Sequence, residues 1–317
     1  MPKINIPGPV LTALKWLLAA EAIWLAARKV SLPGILPALA QARWWVLGLC
    51  IFLHGTVSIL NAYRWKILIR AEHLGLGKFL YFIFVGHFFN LFMPSSVASE
   101  AIKVYAFGRK YGNLQQNVGI TLVCRFMGML AQFAVGAGAL ALYYRELKER
   151  DVFSRSPVVS VWIWILIAAA TTAGISGLYA YRQMLARQPW IKAMMDVFRD
   201  GTLVAKTAAV TVAIQVLSAL TGYTLYLCVF PQAPLGKIVL FILIIQMILM
   251  LPFSLGGVGV REYLVILFFS DLGGMPPDAS IAANLLGYVP LVLFAAIGGA
   301  WILFRKLNAK KLPTQDA

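Results

Sequence analysis

The chain has 317 residues, 61 % of them hydrophobic and only 13 % charged, whereas ordinary soluble domains carry about 25 % charged residues. That composition excludes a soluble globule, and with no polar domain to carry it the net charge of +16 argues against a nucleic-acid surface. The three cysteines, Cys50, Cys124 and Cys228, lie far apart in apolar segments and read as small buried hydrophobes, with no metal or redox spacing among them.

Apolar stretches long enough to cross a hydrocarbon core of ~30 Å need roughly 20 residues. The hydrophobic segments here run approximately 10–27, 44–62, 79–93, 116–143, 158–180, 207–229, 238–251, 263–270 and 282–304. In the first, Glu21 interrupts the apolar run and no small-x-small cleavage pattern follows, so it reads as a retained helix, with Lys15 and Glu21 snorkelling near its ends. Segment 44–62 is followed by the basic cluster Arg64, Lys66, Arg70 and Lys78, and segment 79–93 by Lys103, Arg109 and Lys110. Segment 116–143 carries Arg125 in "ITLVCRFMGMLAQF". After 158–180, the stretch 181–206 places Trp190, Met194, Val197 and Phe198 at helical spacing with Lys192, Arg199 and Asp200 between them. It reads either as an amphipathic helix on the inner leaflet or as a solvated connector. The last apolar segment ends in Arg305, Lys306, Lys310 and Lys311. Juxtamembrane basic clusters face the cytoplasm and its anionic lipids.

Segments 79–93 and 238–251 are too short to span comfortably, and each runs into a proline-containing small-residue stretch. "PSSVAS" begins at Pro94 and "PFSLGG" at Pro252, half the chain apart, and each is followed by a glutamate, Glu100 or Glu262. Interrupted hydrophobic segments at matching positions in two halves point to inverted repeats around a midplane site. The sequence therefore predicts an all-α polytopic membrane protein with about six spanning helices plus two oppositely oriented re-entrant hairpins. It forms a single integral membrane domain over 1–317, with repeat halves approximately 1–156 and 157–317. Both termini are expected in the cytoplasm, loops 145–156 and 271–280 outside, and the two hairpin turns close together near the midplane. Loop 28–43, with Arg28, Lys29 and Arg43 on the outer side, fits the charge rule least well, and a plain eight- or nine-span bundle is the alternative.

Charges within membrane segments are costly and mark polar interiors. Arg125, Arg261, Glu100 and Glu262 are the candidates. Gly256, Gly257 and Gly259 let the backbone turn and leave amide donors open beside a helix N-terminus. Arginine next to such donors suits phosphate, because its planar fork matches phosphate oxygens. "GVGVRE" is only part of a dinucleotide fingerprint and lacks its strand–helix context. His54, His73 and His87 form no ligand set, although His87 and Asn90 lie three apart on the first hairpin, where packing or a polar lining is the expected role. No catalytic constellation is present, so a transporter or lipid-handling protein ranks above an enzyme, and neither a cofactor nor a metal is expected.

"NLFMPSSVASEAIKVYAF" and "LPFSLGGVGVREYLVILFF", with "CRFMG" between them, resemble the transmembrane lysylphosphatidylglycerol synthase/flippase family. This is the membrane domain of the multiple peptide resistance factor, also found as stand-alone bacterial and archaeal proteins. The resemblance covers nearly the whole chain. The family usually shows Gly-Gly-Asp followed by arginine where this chain has Ala98, Ser99, Glu100 and Lys103, a departure that keeps charge and small size. The family's soluble aminoacyl-transferase domain is expected to be absent, since nothing after residue 305 would fold into it. What the resemblance implies is movement of a lipid between leaflets.

The expected function is thus that of a flippase-like lipid translocase in a bacterial inner membrane. Its partner would be a lipid with a phosphate head group, such as an aminoacylated phosphatidylglycerol, a polyprenyl phosphate or a glycolipid. Arg125, Arg261 and Lys103 would hold the head group between the hairpins. Glu100 and Glu262 would steady the arginines or bind a cationic substituent, and Asn90, Ser96 and Ser254 would supply neutral hydrogen bonds. The alternatives are a membrane subunit presenting a lipid-linked sugar to a glycosyltransferase, and a small-solute carrier. The sequence leaves the oligomeric state open, homo-oligomers included.

Overall fold

A computed structural model describes residues 32–93, 96–149, 188–249, 260–271 and 273–311. Among them every regular element is a helix. In lipid a backbone N–H or C=O cannot turn to water, so each segment must satisfy its own hydrogen bonds, which a helix does. The chain is an all-α multi-pass membrane protein. Four helical stretches are long and apolar enough to cross: Trp44–Ile69, Leu114–Gly136, Gly201–Val229 and Pro277–Arg305. The expected spans 10–27 and 158–180 lie outside the described residues.

In chain order the helices are α1 (Leu32–Ala40), α2 (Trp44–Ile69), α3 (Leu76–Asn90), α4 (Ser96–Tyr111), α5 (Leu114–Glu149) and α6 (Pro189–Arg199). They continue with α7 (Gly201–Val229), α8 (Leu235–Leu249) and α9 (Val260–Val265), which runs on as a π-helical turn (Ile266–Asp271), then α10 (Pro277–Leu286) and α11 (Tyr288–Lys311). Helix α1 falls in a stretch expected to be loop. Its prolines obscure it, but Pro33 occupies the first turn, where a missing N–H costs nothing, and Pro37 is accommodated within the helix. The last span begins at Pro277 rather than near 282. It breaks at Gly287 because Pro290, in the first turn of α11, has no N–H to offer the preceding turn.

Helices α3 and α8 have 15 residues each, about 22 Å at 1.5 Å per residue, short of the hydrocarbon thickness. Helix α3 packs against α4, and α8 against α9 and its π-helical continuation. The turn between α4 and α5 is tight: Gly112 and Asn113 both take positive φ, and the Asn113 carboxamide oxygen accepts the Gln116 N–H at 3.1 Å.

The longest seam is between α2 and α7, and it is antiparallel. The Arg43 N–H donates to the Cys228 carbonyl at 2.8 Å, and the Cys50 thiol lies 3.6 Å from the Thr221 carbonyl. Further along, Arg64 reaches Thr211 and Arg70 reaches Asp200. Asp200 works twice there, because one of its oxygens also accepts the Leu203 N–H at 3.0 Å and caps α7. Around this seam α3 packs on α11 and α8 on α5, while α1 packs on α10 and α6 on α5. Two of these joints require glycine. A Cβ on Gly298 would stand 2.2 Å from the Phe84 carbonyl oxygen, and one on Gly119 would stand 2.2 Å from the Trp190 carbonyl oxygen. Helix α6 realises the amphipathic reading in part, with Val197 buried, Met194 packed on the core and Phe198 exposed.

The buried apolar side chains fall into one cluster on α2 to α5 joined by Val197 of α6 and Leu203 of α7, one on α7 to α10 joined by Ile35 of α1, and a small bridge of α2, α7 and Leu286 that includes Cys50 and Cys228. All three cysteines are free and buried. Large apolar side chains such as Trp45, Phe52, Leu130 and Phe304 point outward, an aggregation hazard in water but the solvated state in lipid.

Candidate functional site: two charged clusters inside the helix bundle

Helix α4 places Glu100 and Lys103 one turn apart, with Nζ 3.6 Å from the carboxylate. Helix α5 brings Arg125 to the other carboxylate oxygen, where its Nε donates. Side-chain exposures of 15 % for Lys103, 24 % for Glu100 and 39 % for Arg125 leave all three partly accessible. The ammonium group of Lys103 also sits 4.9 Å from the centroid of the Trp65 ring, a distance at which the aromatic face attracts a cation. Its aliphatic stem lies along α3 at Gly86, where a Cβ would meet it at 3.5 Å. At the end of α3 the carboxamide oxygen of Asn90 accepts the Ser99 hydroxyl at 3.2 Å. The structure therefore brings together Glu100, Lys103 and Arg125 from the predicted set, and pairs Asn90 with Ser99, the residue before Glu100.

Arg261 and Glu262 form a second group on α9. Glu262 Oε1 accepts the Tyr288 hydroxyl at 3.0 Å and the Asn284 amide at 3.2 Å, while the Arg261 guanidinium stands 5.7 Å from the Tyr288 ring centroid. Arg261 opens onto a cavity of about 240 Å³ that Asn284, Gln246, Tyr226, Ile242 and Phe269 also line. The Asn284 carboxamide oxygen is buried there without a hydrogen-bond partner among the described residues. Such a chamber, mostly apolar with a few convergent polar groups, is the usual form of a small-molecule or lipid site.

Ser254, Gly256, Gly257 and Gly259 lie outside the described residues, and so does the approach of the two turns expected near the midplane. The same holds for Lys15 and Glu21. Ser96 opens α4, and its side chain is outside the description.

Sequence reasoning missed Arg64, which it assigned to a cytoplasmic cluster. The residue is inside α2 and partly buried, its Nη1 donating to Thr211 at 3.2 Å and its Nη2 to Asn61 at 3.0 Å. The signal available was Asn61 and Arg64 one turn apart on one helix face. Also missed was a histidine contact: His54 and His87 have ring centroids 5.7 Å apart. Ser58 Oγ lies 3.2 Å from His87 Nε2, and Phe294 packs against both rings. Among the described residues no group of three or more His, Cys, Asp or Glu is placed to hold a metal.

Motif for motif, "CRFMG" now has its arginine on the Glu100 carboxylate of α4, and "GVGVRE" has its arginine at a chamber beside α9. The sequence matches the family described as the lysylphosphatidylglycerol synthase TM region over residues 12–308. The chain belongs to that family. No curated protein matches it. Membership in the lysylphosphatidylglycerol synthase TM family supports a membrane-lipid-related role for the chain.

Proposed function

We propose that this member of the lysylphosphatidylglycerol synthase TM family is a lipid translocase of a bacterial cytoplasmic membrane. It moves a lipid with a phosphate head group from one leaflet to the other, with no catalytic step of its own. One observation carries the reading: Lys103 and Arg125 flank a single carboxylate inside a membrane bundle and remain partly exposed. Charges in this setting are expensive and are retained where a polar ligand passes.

The movement we propose is alternating access between two inverted repeats, with halves approximately 1–156 and 157–317, both termini cytoplasmic and α3–α4 and α8–α9 as re-entrant hairpins. Several features support it. Helices α1 to α4 recur in order as α6 to α9, and the spanning helix after each hairpin is α5 in one half and α10–α11 in the other. Exchanging the halves turns the α3–α11 contact into the α8–α5 contact and the α1–α10 contact into the α6–α5 contact, and all four occur. Lys103 and Arg261 each stand at the same distance beyond the prolines Pro94 and Pro252, so each hairpin offers one cation at a matching place.

The test is fluorescent phosphatidylglycerol in liposomes containing the purified protein, with movement read by chemical quenching of the outer leaflet. Removing one partner of a buried, hydrogen-bonded charge set typically costs ~2–5 kcal/mol, about 30-fold or more in affinity. Arg125→Gln is therefore expected to abolish movement while the protein stays folded, and Arg125→Lys, which keeps charge without the fork, to lose part of it. Normal movement in a folded Arg125→Gln, Arg261→Gln double variant would sink the reading.

A further inference from the structure

The charge balance of the first cluster says more about its ligand than the presence of cations does. The sulfur of Cys124, buried beside Arg125 on α5, lies within electrostatic range of Arg64, Lys103 and Glu100 together. Arg64 thus shares a neighbourhood with the Lys103–Glu100–Arg125 group, whose Lys103 lies over the ring of Trp65, the residue after Arg64 on α2, and three of these four charged side chains are cations. Glu100 is the carboxylate that meets them, and it is already engaged by both Lys103 and Arg125. Among the described residues Arg64 is held by the neutral acceptors Asn61 and Thr211, and its Nε is buried with no hydrogen-bond partner. The neighbouring histidines His54 and His87 can add positive charge on protonation but never negative. These side chains carry two positive charges in excess among the described residues, and the partly buried Arg64 guanidinium has a donor to spare. The second cluster differs, since there Arg261 is matched by Glu262.

We infer that the head group accepted at the first cluster carries phosphate charge with no attached cation to offset it. A phosphomonoester lipid fits best, and an aminoacylated lipid fits worst. This inference rests on the lipid-handling reading above and narrows its substrate class. A phosphomonoester brings up to two negative charges, the number the cluster lacks. It also presents three terminal oxygens, each able to accept charge-assisted bonds from ammonium and guanidinium donors. A lysyl ester adds two ammonium groups to the phosphate, turning the head group net positive. Those groups would meet three like charges and one carboxylate that is already shared, the kind of juxtaposition that rejects a wrong ligand.

The experiment is a competition at pH 8. Purified protein in mild detergent is offered equimolar dioleoyl phosphatidic acid, phosphatidylglycerol and lysylphosphatidylglycerol, and bound lipid is counted by native mass spectrometry. The expected order is phosphatidic acid, then phosphatidylglycerol, then lysylphosphatidylglycerol, the extremes differing by about tenfold or more. Arg64→Gln should erase most of the preference for phosphatidic acid over phosphatidylglycerol, and Arg64→Lys should keep part of it. The order in the unaltered protein decides the matter even where a variant folds poorly. Lysylphosphatidylglycerol binding as well as phosphatidic acid would overturn the inference and leave the lipid reading standing. Binding of none of the three would overturn both. Displacement of phosphatidic acid by millimolar inorganic phosphate would reassign the site to a soluble anion and overturn the lipid assignment.

Discussion

At the residue scale the central group is Glu100. It accepts from Arg125 and contacts Lys103, so it screens cations that would otherwise repel one another where the dielectric is low. Glu100→Gln should therefore destabilise the protein, by about 1–3 kcal/mol given that the carboxylate is only partly buried. Adding Arg125→Gln should restore much of the lost melting temperature, measured in detergent, without restoring lipid movement. Recovery of both together would mean that Arg125 serves only to balance Glu100. The sequence revealed Arg125 because a lone cation in a long apolar run has few explanations. It concealed Arg64, because a basic residue near the cytoplasmic end of a span is what membrane orientation already demands. The glycines of the second turn lie beyond the described residues, so their part in the site rests on sequence alone.

At the element scale, hydrophobic length did most of the work. Segments of the right length became the four spanning helices, and the two short ones became 15-residue arms. What periodicity did not convey was how close the helices come. That closeness depends on missing side chains at a few points, and nothing in the pattern separates Gly298 from Gly48. The structure does separate them, since a Cβ on Gly298 collides with the α3 backbone, whereas Gly48 faces open space. Gly298→Ala should push α11 off α3 and cost about 1–3 kcal/mol by overpacking. Gly48→Ala should be neutral or raise the melting temperature, because alanine is favoured over glycine within a helix by up to about 1 kcal/mol. Thermal denaturation of the two variants side by side provides the check, and equal melting temperatures would mean that α3 and α11 are not in close contact. The same contact carries Phe84 and Phe294 beside His54 and His87, so its loss should also disturb the polar interior.

On the scale of the whole molecule, the antiparallel seam of α2 and α7 is the longest helix contact, and in the proposed repeat it joins the two halves. If one half rocks against the other during lipid movement, the ends of that seam must shift more than its middle. Arg70 and Asp200 mark one end, joined at 2.8 Å with both side chains largely exposed. Replacing them should change little by itself, since an exposed ion pair contributes ~0–1 kcal/mol and loss of the Asp200 cap about 1 kcal/mol. The Arg70→Cys, Asp200→Cys variant is thus expected to fold and to move lipid. The native Cys50, Cys124 and Cys228 are buried and should not compete for a short bifunctional maleimide that bridges the new pair. Bridging is expected to slow lipid movement at least about tenfold, the loss expected when a transport cycle requires domain motion, while head-group binding persists. A monofunctional maleimide on the same cysteines should leave movement intact and so separates restraint from chemical modification. Full lipid movement in the bridged protein would show that the seam stays closed throughout the cycle, and the moving parts would then be α3–α4 and α8–α9 alone.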